Sequence, residues 1–296
     1  WGVLHDGTRP YPGVLDALRE LRARGKKIVL LSNSSKLRAN SLRGLARMGF
    51  GEPGELFDDI VTSGQTAHDM LRDRDFCFLK SYAEDDPVPV FLLGNGADDD
   101  EYLASCGCRP APLDEAAFVL ARGSFSIQPW GDAAAAGARS FEDPAEMLRE
   151  AEAALAEARR DGVDIPMVVS NPDVLRPGTN SPMPGLLGAA YESFGGEVYY
   201  IGKPHATVFK RCSALLPSSP AARVAMVGDS LDHDILGGLR QDLGTVWVAC
   251  GVHAHEMGVE QGHERLPEGA AVDDVVRAHL GGEQQGPDWA VPVFRW

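Results

Sequence analysis

Residues 223–238 read RVAMVGDSLDHDILGG, and no other stretch constrains the fold as tightly. A short apolar run, residues 224–227, breaks at Gly228; Asp229, Asp232 and Asp234 follow, and then the apolar pair Ile235 and Leu236. That order predicts a buried strand, a tight turn carrying carboxylates, and the start of a helix. Carboxylates at the C-terminal end of such a strand lie where open α/β sheets hold their ligands. A hard cation such as Mg²⁺ takes oxygen donors of this kind, usually one or two carboxylates with water and substrate phosphate. Asp229, Ser230 or Asp232 could equally cap the helix. The stretch alone leaves both roles open.

The same order recurs on either side. Residues 1–5 (WGVLH) read as the tail of a buried strand, Asp6-Gly7-Thr8 as a turn, and Tyr11-Pro12-Gly13 as the lead into a helix. Val14, Leu18 and Leu21 recur there at helical spacing, and Gly25 closes the helix. The run 28–31 ends in Ser32-Asn33-Ser34-Ser35, Leu42, Leu45 and Met48 mark a second helix, and Ile60-Val61 ends in Thr62-Ser63-Gly64. Beyond Gly196 the alternation resumes with apolar runs at 198–201, 224–227 and 245–249. Strands alternating with helices imply βαβ units. The expected fold is α/β, with a Rossmann-like parallel-sheet core.

The middle of the chain holds strands of its own, at 88–93, 117–121 and 165–169, and a long helix. Asp143-Pro144-Ala145-Glu146 marks the helix start: a capping aspartate, proline in the first turn and an acid three residues on. Met147, Leu148, Ala151, Leu155 and Ala158 form one apolar stripe. This section reads as a second α/β domain inserted into the first. The expected division is a discontinuous core, residues 1–66 and 197–296, around an inserted domain, 67–196. Residues 131–140 (GDAAAAGARS) are expected to be a loop, with one helical turn over the alanines as the alternative.

A length of 296 residues accommodates two such domains. The net charge of −15 argues against a nucleic-acid groove or an anionic membrane surface as partner. It also means that an anionic substrate needs local positive groups or a metal. The cysteines, Cys77, Cys106, Cys108, Cys212 and Cys250, are odd in number and sparse, which favours free thiols in a reducing intracellular compartment, cytoplasm or organelle. Cys106-Gly107-Cys108 has no second Cys/His pair near it and reads as packing. No stretch approaches the ~18 apolar residues of a membrane span, so a soluble protein is expected. The sequence opens on Trp1 within an apolar run, and any targeting signal is expected to lie outside it.

Polar residues suited to chemistry fall at the ends of the apolar runs. Ser32 and Asn33 could hold a phosphate at a helix start, or simply form a polar turn. Lys203 could neutralise a phosphate and a carboxylate nucleophile together, or stand in solvent. Gly94-Asn95-Gly96 follows a strand as a dinucleotide-binding turn does. Asp99 replaces the third glycine, and the acidic run 98–101 would repel a pyrophosphate, so no dinucleotide site is expected.

Ser32, Lys203 and Gly228-Asp229 with Asp234, in that order, resemble the haloacid-dehalogenase superfamily. Supporting stretches are LLSNSS (30–35), SNPD (170–173), PGLLGAAYESFGGEVYYIGKPH (184–205) and GDSLDHDILGG (228–238). The insertion between Ser32 and Lys203 resembles subclass IIA, the NagD-like group, whose α/β cap lies between motifs two and three. That group includes phosphoglycolate, pyridoxal phosphate and nucleotide phosphatases. The resemblance implies a Mg²⁺-dependent phosphatase that hydrolyses a small phosphorylated metabolite through an aspartyl-phosphate. Ser32 would hydrogen-bond the phosphate, helped by Asn33, and Lys203 would balance charge. Asp229 would bind Mg²⁺ directly, and Asp234 would act through a metal water or orient Lys203. Asn171 and Asp173 would reach the substrate; Arg176 could meet an anionic group or be a surface arginine. The cap is expected to select the substrate and exclude water on closing. A homodimer through the cap is left open.

Two departures qualify the resemblance. The superfamily's first motif is Asp-x-Asp-Gly, and aligning Gly2-Val3-Leu4 puts Trp1 at its second aspartate. The backbone carbonyl of Trp1 would then serve the metal, and the nucleophile would lie two residues before it, outside this sequence. Asp6-Gly7-Thr8 is no alternative register, because Leu4 stands where an aspartate is required. Tryptophan has no titratable proton near neutral pH, and proton transfer typically contributes ~10²–10⁴-fold. A water, a substrate group or His5 could stand in. The alternative expectation is a catalytically weak or non-catalytic phosphate-ester binding protein. His233 replaces the threonine that often precedes the second aspartate of the last motif, a change expected to be tolerated.

Overall fold

The computed structural model describes residues 2–83, 85–96, 98–128, 137–176, 179–217, 223–281 and 286–296. The chain forms two compact units. Unit one comprises Trp1–Ser32, Ala39–Val61 and Lys203–Trp296; unit two comprises Asn33–Arg38 and Thr62–Gly202.

In unit one the strands Ala225–Gly228, Gly244–Val248 and Trp289–Val291 lie side by side, parallel throughout. Val29–Ser32 pairs with Asp59–Thr62. The apolar runs at 28–31, 60–61, 224–227 and 245–249 predict four of these strands; Trp289–Val291 is a strand that the sequence reading does not mark. Helix Val14–Ala23 buries Val14 and Leu18 against Leu45, Phe50, Phe57 and Ile60, and Gly25 follows it with φ 71°. A left-handed residue there lets the chain leave the helix without a Cβ clash. Trp247, Leu231 and Ile235 centre a second core, closed by Val275 and Leu280 of helix Gly269–Leu280.

Residues 2–5 are not the strand tail that their apolar run predicts. Gly2 has φ 79°, outside the extended region, and His5 forms only an isolated bridge to Pro10. A run becomes a strand where a ladder takes its amides. Here Gly2 N–H bonds His5 O instead, and Tyr11 N–H bonds Leu4 O.

Unit two is built on a sheet whose described strands run Arg139–Ser140, Ser126–Ile127, Val88–Gly94, Phe118–Ala121, Met167–Val169, Val198–Tyr200, with Cys108–Pro110 also on Val88–Gly94. The centre is parallel; Ser126–Ile127 and Arg139–Ser140 are antiparallel additions. Helix Pro144–Arg160 begins where expected: Asp143 Oδ1 accepts Ala145 N–H at 2.8 Å, and the whole predicted stripe is buried. Two details differ from the sequence expectation. Val198–Tyr200 pairs with Met167–Val169 in unit two, although its run reads as a strand of the outer domain. Strand–helix alternation says that a strand forms, not which sheet accepts it. The end of the expected loop 131–140 is strand, because Arg139–Ser140 finds a partner in Ser126–Ile127; residues 131–136 lie outside the described residues. The helices that accompany parallel strands in both units make the fold α/β.

Candidate active site

Strand Ala225–Gly228 delivers Asp229 to the end of its sheet. From the neighbouring strand, the fully buried Trp247 donates its indole N–H to Asp229 O at 2.9 Å, which pins the backbone there. Ser230 caps the following turn: its Oγ accepts His233 N–H at 3.2 Å. Neither Asp229 nor Asp234 is needed as the cap. The turn itself, Leu231–Ile235, is π-helical, a wide winding often found at functional sites. Buried Leu231 and Ile235 hold it in the core, so Asp234 points back toward the strand end. A Cβ at position 228 would overlap the Asp234 side chain, so only glycine permits that return.

Asp234 is 3% exposed; its Oδ1 accepts Lys203 Nζ at 2.7 Å and its Oδ2 accepts Ser230 N–H at 3.1 Å. Burial would raise its carboxyl, but Lys203 and the amide outweigh burial and hold it below the ordinary range. Asp229 is 4% exposed, and its Oδ2 accepts Val252 N–H at 3.0 Å. Burial, followed by repulsion from Asp234, pushes Asp229 up to about 7. The Lys203–Asp234 pair is therefore close to neutral by itself, and Asp229 is a buried acid short of positive charge. The backbone at Gly2, φ 79°, rests against it, so closely that a Cβ there would overlap the carboxylate oxygens. Buried carboxylate oxygens beside main chain fit a hard divalent cation. Asp229 and Asp234 are the residues that would hold it. Trp1, the expected carbonyl donor, lies outside the described residues.

Ser32 ends strand Val29–Ser32 and is half-buried in unit one, together with Lys203, Asp229 and Asp234. Asn33, Asn171 and Asp173 form a hydrogen-bonded group in unit two. Asn33 Nδ2 donates to Asp173 Oδ1 at 2.8 Å, and Asp173 N–H donates to Asn171 Oδ1 at 3.0 Å. Arg176 lies over the Phe125 ring, 5.5 Å from its centroid. His5 Nδ1 accepts Gly7 N–H at 3.0 Å, and burial lowers its pKa to about 4, so it is neutral and a poor proton donor at pH 7. His233 Nδ1 bonds Ser230 Oγ at 2.9 Å. The Gly94-Asn95-Gly96 turn offers its amides to Asp99, which accepts Asn95 N–H at 3.0 Å and Gly96 N–H at 2.7 Å and pairs with Arg122. A side-chain carboxylate already fills that turn.

A family model described as haloacid dehalogenase-like hydrolase matches residues 1–109, and a HAD-hydrolase-like model matches residues 200–278. Chronophin from Homo sapiens is 31% identical over 262 residues, covering 85% of this chain and 79% of chronophin. The chain belongs to the haloacid dehalogenase-like hydrolases. Within that family, glycerol-3-phosphate phosphatase from Homo sapiens is 31% identical over 261 residues, 85% of this chain and 77% of that protein. A p-nitrophenyl phosphatase from Archaeoglobus fulgidus shares the fold with a TM-score of 0.66 at 24% identity, over 99% of this chain and 94% of the other. The chain is a haloacid dehalogenase-like hydrolase of the phosphatase type, with the α/β cap of the NagD-like group.

Three contributors to this hydrolase site escape sequence reasoning. Trp247, Val252 and Gly2 act through an indole N–H, a main-chain amide and a close backbone approach. Residue types alone carry no signal for the last two. Of the predicted groups, Lys203 and Asp234 are brought into direct contact, with Asp229 buried beside the same turn.

Proposed function

We propose that this protein is a Mg²⁺-dependent phosphatase of a small phosphorylated metabolite, with an aspartate two residues before Trp1 as nucleophile. Asp229 carries the reading: a buried carboxylate pushed up to about 7 next to a Lys203–Asp234 pair suits a site completed by a divalent cation. Mg²⁺, when bound, offsets the charge of the phosphoryl oxygens. Lys203 lowers the repulsion between phosphate and attacking carboxylate, and Asp234 fixes the lysine's direction. Ser32 donates its hydroxyl to a phosphoryl oxygen. Asn33 helps Ser32 hold the phosphate, and Asn171 and Asp173 contact the substrate. Relatives named glycerol-3-phosphate phosphatase and dihydroxyacetone phosphatase make three-carbon phosphate esters the first substrates to try. The thiols are free among the described residues, in keeping with a reducing compartment.

The test is phosphate release by the intact protein across a panel of phosphorylated metabolites, with and without Mg²⁺. Turnover that needs Mg²⁺ and disappears in Asp229→Ala supports the reading. Turnover retained by Asp229→Ala removes the metal assignment. Tight binding of phosphate esters with no turnover favours the binding-protein alternative, which Trp1 at the acid/base position motivates. A homodimer through unit two belongs to the same proposal; Val174, Leu175 and Leu186 are exposed there, and mass by light scattering decides it.

A further inference from the structure

Unit one gathers a second set of ligand-type side chains. Asp232 lies in the π-helical turn Leu231–Ile235. His253 and Glu256 lie at and within the short 3₁₀ turn Ala254–Met257, and His279 in the last turn of helix Gly269–Leu280. One ligand atom each from Asp232, His253 and His279 lies within 4.8 Å of the other two. Glu256 binds both rings from one side: Oε1 meets His253 Nδ1 at 2.7 Å and Oε2 meets His279 Nε2 at 2.8 Å. The other nitrogens face the turn that carries Asp232. His253 Nε2 accepts Leu231 N–H at 3.0 Å, and His279 Nδ1 meets Asp232 Oδ2 at 2.8 Å. The rings are 4.3 Å apart, His253 is buried, and His279 is partly exposed.

We propose that Asp232, His253 and His279 form a second metal site, for a divalent transition cation of the zinc class, with Glu256 orienting both histidines. Two imidazoles and one carboxylate suit Zn²⁺, Co²⁺ or Ni²⁺, whereas Mg²⁺ prefers all-oxygen donors. Ligating histidines commonly donate their other N–H to a carboxylate, which fixes tautomer and orientation. Glu256 is placed to do this twice, through His253 Nδ1–H and His279 Nε2–H. Ligands ~2.0–2.2 Å from a tetrahedral zinc lie ~3.3–3.6 Å apart, so atoms within 4.8 Å of one another close by little more than an ångström at most. His253 Nε2 exchanges the Leu231 amide for the ion. His279 Nδ1, which needs a proton to donate to Asp232, presents a lone pair instead. Water completes the coordination from the exposed side of His279. The bound cation ties helix Gly269–Leu280 to the turn that also carries Asp234. The sequence signal is the His253-x-x-Glu256 spacing followed by a histidine on the next helix. The site stands apart from the phosphatase reading and does not depend on it.

The experiment is metal binding to the intact protein with Mg²⁺ in large excess, so that the Asp229 site is not counted. Equilibrium dialysis against Zn²⁺ is expected to retain one equivalent per chain, and Co²⁺ to give the intense visible bands of a low-coordinate site. Zn²⁺ should raise the melting temperature of the parent and leave that of His279→Gln unchanged. His253→Gln and His279→Gln should each lose the equivalent and the bands, and Glu256→Gln should bind ~10–100-fold more weakly. No Zn²⁺ retained by the parent, or equal retention by parent and both histidine variants, overturns the proposal. If a variant does not fold, imidazole ¹⁵N shifts in the parent decide. Movement of the His253 and His279 signals on Zn²⁺ addition supports the site, and no movement overturns it.

Discussion

Asp229 has a buried carboxyl raised from its ordinary 3.8 to about 7, so in the metal-free fold its ionised form is disfavoured. A raised carboxyl destabilises the fold progressively as pH rises from the unfolded value through the folded one. Mg²⁺ needs the ionised form and offsets its burial, so the Mg²⁺-induced rise in melting temperature should be larger at pH 8 than at pH 6. Asp229→Asn should melt above the parent at pH 8 without metal and should not respond to Mg²⁺; thermal shift across pH checks both. Lys203 and Asp234 are the opposite case, a buried pair that satisfies itself. Lys203→Ala leaves the buried Asp234 carboxylate without its cation and should lower stability by about 3–5 kcal/mol in denaturant titration. Asp234→Asn added to it should recover part of that loss. The residue types at these positions are visible in the sequence. Their protonation is not, because it depends on burial and on neighbours brought from residues 203, 229, 234 and 252.

Elements whose signals are local were legible. Helix Pro144–Arg160 has its cap, proline, acid and apolar stripe within a short window, and all are found as predicted. Asp143→Ala should therefore lower stability by about 1 kcal/mol, read by urea unfolding, with little effect on phosphate release. Elements defined by partners were not legible. Residues 2–5 are as apolar as a strand yet bond to one another and to residues 10–11 instead of into a sheet, and Arg139–Ser140 is polar yet pairs. Ladder formation depends on what lies alongside, and a single run does not contain that information.

For the molecule as a whole, the two units divide the proposed labour. Asp229, Asp234, Lys203 and Ser32 belong to unit one, and Asn33, Asn171 and Asp173 to unit two. Asp173→Ala should raise KM several-fold while leaving the Mg²⁺ concentration for half-maximal activity unchanged. Steady-state kinetics on the best substrate of the panel separates the two effects.

By itself the sequence determined the α/β class, most of its strands and helices, and the spacing of Gly228, Asp229 and Asp234. These follow from periodicity, caps and turn chemistry, all read within a few residues. Tertiary structure alone decided that strand Val198–Tyr200 joins unit two, that Trp247 and Val252 hold Asp229, and that His253 and His279 converge on Asp232 with Glu256 behind both rings. Each depends on segments far apart in the chain, brought together by core packing that no local pattern encodes.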